Sequence, residues 1–362
     1  MKNKKTYIFK VIRLIGRFVS RRRIFLVSDR SIYAGDNGEC FYKYLLSQNV
    51  DAVFAIKKCS KDYERLKKIG KIVEYDSLKF KFFYCICECY CSSQLIHMEN
   101  HNETPKIFLQ HGVAETDISK MLKPCIGDNF YIVTSGQRER KRIIDSTEKI
   151  DKEHVWLTGL PRFDHLESSP KKKVVVMFTW RERLLNTDKE IISKTPYYKE
   201  ILKIAENKEL NNFLGEQGYE LCFMLHPEMS FLKEYLKENK SVKLYEKSYN
   251  ELFREASLVV TDYSSVIYDF VYLNKPIIYY QFDNYEYFSN HFTCKGDMDY
   301  ERDGFGPVAY DFDTFVKNVK DTVLSGCSMN EKYSDRRNAF FEYFDKKNSE
   351  RIYQKVLKVI GN

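Results

Sequence analysis

At 362 residues the chain exceeds a single core of ordinary size and suits two domains. Its apolar share of 43% is ordinary, no apolar run approaches the roughly 20 residues of a membrane-spanning helix, and ten cysteines without a disulfide-like framework point to a reducing compartment. The net charge of +8 is localised: nine of the 59 basic residues and no acidic one fall in residues 1–23, while the other 50 oppose 51 acids.

That arm has helical periodicity. Tyr7, Ile8, Val11, Ile12, Leu14, Ile15, Phe18 and Val19 share one arc, with Lys10, Arg13 and Arg17 opposite. An amphipathic helix of this kind suits an anionic membrane surface, or it packs on its own domain with the basic face in water. Lys and Arg interrupt the apolar positions and no cleavage site follows, so no secretory signal is expected. No reader motif or aromatic-basic platform accompanies the arm, and no nucleic-acid partner is expected.

Beyond the arm, buried strands are predicted at 24–28, 52–56, 71–75, 106–110 and 131–134, with helices near 38–48, 61–69, 77–87 and 136–145. Such alternation indicates a parallel sheet covered on both faces. A turn-rich polar stretch at 159–173 closes this first domain, 24–165. The second, 171–330, has strands predicted at 174–179, 220–225, 242–245, 258–261 and 276–280, with helices near 189–214, 249–256 and 264–273. Residues 331–362 read as C-terminal helices. The expected fold is α/β, two doubly wound domains facing a central cleft, with ligands outside the carboxyl ends of the strands.

Four strand ends carry candidate chemistry. In Phe108-Leu109-Gln110-His111-Gly112 an apolar strand delivers His111 to its carboxyl end, where a neutral imidazole can accept a proton from a hydroxyl; a histidine satisfied by a backbone carbonyl fits the same string. His226, ahead of Pro227, ends a strand of the second domain in the same way, and the pair would approach each other across the cleft. In Thr261-Asp262-Tyr263-Ser264-Ser265 a strand turns into a helix that either serine can cap, and the helix start suits a pyrophosphate. Asp269, one turn on, could reach a ribose or polyol hydroxyl, although an acid early in a helix needs no such role. In Phe178-Thr179-Trp180-Arg181, Arg181 either neutralises a donor phosphate or is a surface arginine beside a core Trp180.

Cys85, Cys87, Cys89 and Cys91 alternate, but lack paired C-x-x-C halves and a following His, so they read as buried thiols and no metal site or cofactor is expected. No G-x-x-x-x-G-K-[ST], G-x-G-x-x-G or G-x-S-x-G motif is present, against a P-loop triphosphatase, a typical dehydrogenase and an α/β-hydrolase.

Taken in order, Leu109–Val113, Thr158-Gly159-Leu160-Pro161-Arg162-Phe163-Asp164, Phe178–Arg181, Leu225-His226-Pro227, Thr261–Ser265 with Asp269-Phe270, and Gly304–Val308 resemble the CDP-glycerol glycerophosphotransferase family, which includes the teichoic acid primases and polymerases. The resemblance implies a GT-B-like pair of Rossmann-type domains. It also implies transfer of glycerol phosphate, or a related polyol phosphate, from a CDP-glycerol or CDP-polyol donor to a lipid-linked or polymeric cell-wall or capsule acceptor, with CMP leaving. His111 would be the base, and His226, Ser264 and Ser265 would hold the pyrophosphate, with Arg181, Thr261, Asp262 and Asp269 on the donor side. It further implies peripheral attachment to the inner face of the cell membrane. Many members continue His-Gly with Thr-Pro-Leu-Lys, whereas this chain has Val113-Ala114-Glu115-Thr116-Asp117. The alternatives are a GT-B glycosyltransferase using a nucleotide sugar, and a non-catalytic scaffold in a polymer-assembly complex.

Overall fold

Short runs rich in Val, Ile and Phe become strands buried on both faces, as parallel sheets require. The computed structural model describes residues 23–98, 103–114, 117–148, 150–185, 187–290 and 298–361. The amphipathic arm, but for Arg23, lies outside the described residues. The chain forms two units: one from the chain up to His165 together with everything from Phe340 onward, the other from Leu166–Ala339. The tail read as separate C-terminal helices therefore divides between them.

The first unit holds a seven-stranded sheet of β1 (Phe25–Ser28), β2 (Ala52–Ile56), β3 (Ile72–Glu74), β4 (Cys89–Ser92), β5 (Lys106–Phe108), β6 (Phe130–Thr134) and β7 (Val155–Leu157), in the order β3-β2-β1-β4-β5-β6-β7. Every neighbouring pair is parallel, so all seven carboxyl ends share one edge. The order reverses between β1 and β4, which makes that point of the edge the expected ligand crevice of this sheet. Leu26, Val53, Tyr90, Phe108, Phe130 and Ile132 lie in its core.

β4 and β7 were not predicted. Cys85 and Cys87 lie at the end of helix Leu78–Ile86 and Cys89 and Cys91 on β4, so the cysteine alternation spans two elements. All four side chains are buried and none is in a disulfide, with the sulfurs of Cys89 and Cys91 3.6 Å apart.

Helix Asn348–Val359 completes this unit. Asp164 caps it: Oδ1 accepts from the Asn348 backbone and side-chain amides and Oδ2 from Ser349 N–H, all at 2.8 Å. Gly159, at φ +77°, makes room for this junction, because a Cβ there would sit 1.9 Å from Asn348 Oδ1.

The second unit holds β8 (Lys173–Val176), β9 (Glu220–Phe223), β10 (Ala256–Thr261), β11 (Ile277–Tyr280) and β12 (Val308–Ala309), ordered β12-β11-β10-β8-β9 and again parallel throughout. Its reversal lies between β8 and β10. The core includes Val174, Phe223, Val260, Ile278 and Phe315. The strand predicted at 242–245 is a single bridge between Phe223 and Leu244. The helix predicted at 189–214 is three helices, Lys189–Ile192, Pro196–Glu206 and Lys208–Glu216, because Thr195 caps a start with Pro196 in its first turn and Asn207 caps the next.

Candidate active site

In the first unit the loop after β5 is fixed from several sides. Gln110 adopts a left-handed backbone, φ +55°, unusual for a side chain with a Cβ. Its amide donates to Val133 O at 2.6 Å and Glu139 Oε1 at 2.8 Å, and its carbonyl accepts from Asn37 Nδ2 at 2.8 Å. Glu139 is fully buried and also accepts from Ala114 N–H, Ser135 N–H and the Ser135 hydroxyl. Burial raises its pKa and these donors oppose the rise.

His111 follows Gln110 with 55% of its side chain exposed. Its Nδ1 lies 3.8 Å from Asp36 Oδ2. Desolvation by the surrounding loops is the main cause lowering its pKa; Asp36 pulls it up, and Arg30 and Arg162 push it down. The imidazole is therefore neutral near pH 7 and able to take a proton.

Asp36 precedes helix Asn37–Ser47 and caps it, accepting from Asn37 N–H at 2.8 Å. Behind it, Asp29 is buried just past β1 and accepts three backbone N–H groups, from Asp36, Gly38 and Glu39. Burial and the neighbouring Asp36 push its pKa up to about 7 against those donors. A Cβ on Gly38 would meet Ser28 O at 2.3 Å, so only glycine lets the helix start this close to β1. Arg162 comes from the turn after β7 and donates to Asp36 Oδ1 at 3.0 Å and to His111 O at 2.5 Å.

In the second unit, the residues of two predicted strings join at the carboxyl edge where β8 and β10 diverge. Asp262 is fully buried and accepts from Thr179 N–H at 2.8 Å, the Thr179 hydroxyl at 2.7 Å and Tyr263 N–H at 2.6 Å. Arg181, 3% exposed, donates to Asp262 Oδ2 at 2.7 Å and grips Asp283 through two nitrogens at 2.8 and 3.0 Å. Its guanidinium also lies over the rings of Tyr287, Tyr197 and Tyr263 at 4.7, 5.2 and 5.6 Å. Burial works against this charge, but Asp262 and Asp283 outweigh it and hold the pKa above its ordinary value. Arg181 is thus spent on internal acids.

Thr261 donates its hydroxyl to Met177 O at 2.7 Å, and Asp269 is wholly buried in helix Ile267–Tyr272, out of reach of a hydroxyl in solvent. Neither serine is that helix's N-cap. Val266 takes the position, and Ser264 Oγ accepts only a long 3.4 Å bond from Val266 N–H. Ser264 is half-buried and Ser265 exposed. His226 Nδ1 accepts from Glu228 N–H at 3.2 Å, which puts the ring proton on Nε2, and the ring stacks on Trp180 with centroids 6.3 Å apart.

Asp36, Asn37, Asp29 and Glu139 were not singled out from the sequence, nor was Asp283. Arg162 sat inside a matched string without an assigned role. The available signal was Asp36-Asn37-Gly38, a capping residue and a close-approach glycine at the start of the helix that follows the first strand. Among the described residues no cluster of three or more metal-binding side chains occurs.

Comparison with known proteins follows the same outline. Residues 8–358 match the family model described as CDP-glycerol:poly(glycerophosphate) glycerophosphotransferase. The minor teichoic acid biosynthesis protein GgaB of Bacillus subtilis (strain 168) is 30% identical over 99% of this chain, which spans 42% of that longer protein. The teichoic acid glycerol-phosphate transferase of Staphylococcus aureus (strain NCTC 8325 / PS 47) is 23% identical, over 97% of both chains. The solved structure of the wall teichoic acid polymerase TagF shares the fold, with a TM-score of 0.69 at 18% identity over 99% of this chain and 94% of that one. The chain belongs to the CDP-glycerol:poly(glycerophosphate) glycerophosphotransferase family.

Proposed function

We propose that this family member moves glycerol phosphate, or a related polyol phosphate, from a CDP-activated donor to a hydroxyl of a lipid-linked or polymeric cell-wall or capsule acceptor, releasing CMP. The observation that carries the proposal is His111, presented at the carboxyl edge of the first sheet by a loop tied to Glu139, Val133 and Asn37, with desolvation lowering its pKa and favouring the neutral ring. As general base, Nε2 takes the acceptor's hydroxyl proton while the acceptor oxygen bonds to the donor's glycerol-side phosphorus. The bond from that phosphorus to the bridging oxygen breaks, and CMP leaves with the electron pair. Family membership, and relatives named as teichoic acid glycerol-phosphate and ribitol-phosphate enzymes, support the donor class.

On the donor side, His226 through Nε2–H and the hydroxyls of Ser264 and Ser265 contact the pyrophosphate. Arg181, Asp262, Thr261 and Asp269 form the buried frame that fixes the turn carrying those serines. The protein works peripherally at the inner face of the cell membrane, with the basic arm of residues 1–23 on anionic headgroups. Among the described residues no helix is long and apolar enough to cross a membrane.

The test is incubation with CDP-glycerol or CDP-ribitol and a lipid-linked acceptor, following CMP. CMP release that depends on acceptor is expected. If neither donor is bound or turned over while a nucleotide sugar is, the assignment fails in favour of a glycosyltransferase.

A further inference from the structure

Three stretches of the first unit, distant in sequence, close a ring of hydrogen bonds around His111. Asn37 donates its side-chain amide to Gln110 O at 2.8 Å and accepts Arg162 N–H at 3.0 Å. The Arg162 guanidinium returns to His111 O at 2.5 Å and to Asp36 Oδ1 at 3.0 Å. Asp36 Oδ1 also takes Asn37 N–H, and Asp29 accepts Asp36 N–H at 3.1 Å. Two donors thus engage Oδ1, while Oδ2 is directed at the imidazole, 3.8 Å from Nδ1.

We propose that Asp36 is a positioning residue for His111, holding the ring through Nδ1–H so that Nε2 meets the acceptor hydroxyl, with Arg162 keeping carboxylate and histidine backbone in register. The inference rests on His111 being the base. A shift of about 1 Å turns the 3.8 Å approach into a hydrogen bond, and catalytic contacts commonly tighten in this way when substrate binds. The ring has room to move, being half exposed. Once Nε2 has taken the proton, the imidazolium faces two positive guanidiniums, Arg30 and Arg162, and one negative group, Asp36. Asp36 offsets that repulsion when charge develops on the ring. It also selects the tautomer, since a carboxylate at Nδ1 requires the proton there and leaves Nε2 as the acceptor.

The experiment uses Asp36→Asn, which keeps an acceptor for Arg162, and Asp36→Ser, which keeps a capping oxygen for the helix, beside His111→Asn. Acceptor-dependent CMP release from CDP-glycerol is measured across pH, and the His111 ring is titrated by NMR. Both Asp36 variants are expected to lose about 10- to 100-fold in kcat with KM for the donor within about twofold. Removing the negative neighbour should move the acid limb of kcat/KM, and the NMR titration, to lower pH. An unmoved limb and titration in folded variants overturns the proposal, as does a loss confined to KM. Failure of both variants to fold assigns Asp36 to the scaffold and overturns it equally. If His111→Asn itself still releases CMP, the base assignment has failed. If His111→Asn is inactive while the Asp36 variants behave as wild type, only the positioning role has failed.

Discussion

Arg181 Nη2 donates to Asp262 Oδ2 over 2.7 Å, with 3% of one side chain and none of the other exposed. That bond joins the loops leaving β8 and β10 where the second sheet reverses its order. An arginine at a strand end in sequence suits a phosphate ligand equally well, and the placement of Asp262 and Asp283 turns it inward.

Arg181→Met leaves two buried carboxylates without their cation, and removing one partner of a buried pair costs about 3–5 kcal/mol. Urea unfolding should register that loss. A variant with an unchanged midpoint and weakened donor binding would instead put the guanidinium on the ligand.

His111→Asn should lower acceptor-dependent CMP release by about 10²- to 10⁴-fold, the usual contribution of a general base. Its unfolding midpoint should barely move, since the ring is more than half exposed. The pKa lies below the ordinary 6.5, so the base stays unprotonated to lower pH, and the acid limb of wild-type kcat/KM should fall below 6.5. A limb above that value contradicts the proposed environment of the ring.

Ser264→Ala combined with Ser265→Ala should weaken CDP-glycerol binding by about tenfold or more, taking roughly 1.5–3 kcal/mol for a hydrogen bond to a charged group. Neither serine caps helix Ile267–Tyr272, so thermal stability should stay near wild type. Calorimetry of donor binding decides the matter: unchanged affinity removes both serines from the site.

Alternating apolar runs and helical periods were enough to read two parallel sheets and the strand ends bearing His111 and His226. Boundaries and some members escaped for local reasons. β7 has three residues, and β12 two, too short to show a period. β4 is a cysteine-rich strand following a helix that also ends in cysteines, so its composition gave no sign of the change. Asp36 was not singled out, and in the structure it serves as an ordinary helix cap. Its second role depends on Arg162 arriving from 126 residues away, a contact no local pattern encodes. Asp269 had the spacing for a ligand but lies on the core side of a six-residue helix.

Asp164→Ala removes three hydrogen bonds from the start of helix Asn348–Val359, and loss of a cap costs about 1–2 kcal/mol. Amide exchange should quicken along Asn348–Val359 while the strands of the second unit keep their protection. Uniform loosening of both units would assign Asp164 a wider role than capping.

Asp164 waits for a partner 184 positions later in the chain. On the ribosome the second unit, contiguous from Leu166–Ala339, has its whole sequence available before the first does. The first unit begins emerging earlier yet closes later, when Asn348 and Ser349 leave the exit tunnel and reach Asp164. Arg162, which ties Asp36 to the His111 backbone, lies two residues before Asp164 in the same short turn. Final seating of the His111 loop is thereby coupled to the emergence of Asn348, and a nascent chain stalled before that residue would carry a finished second unit beside an unfinished first one.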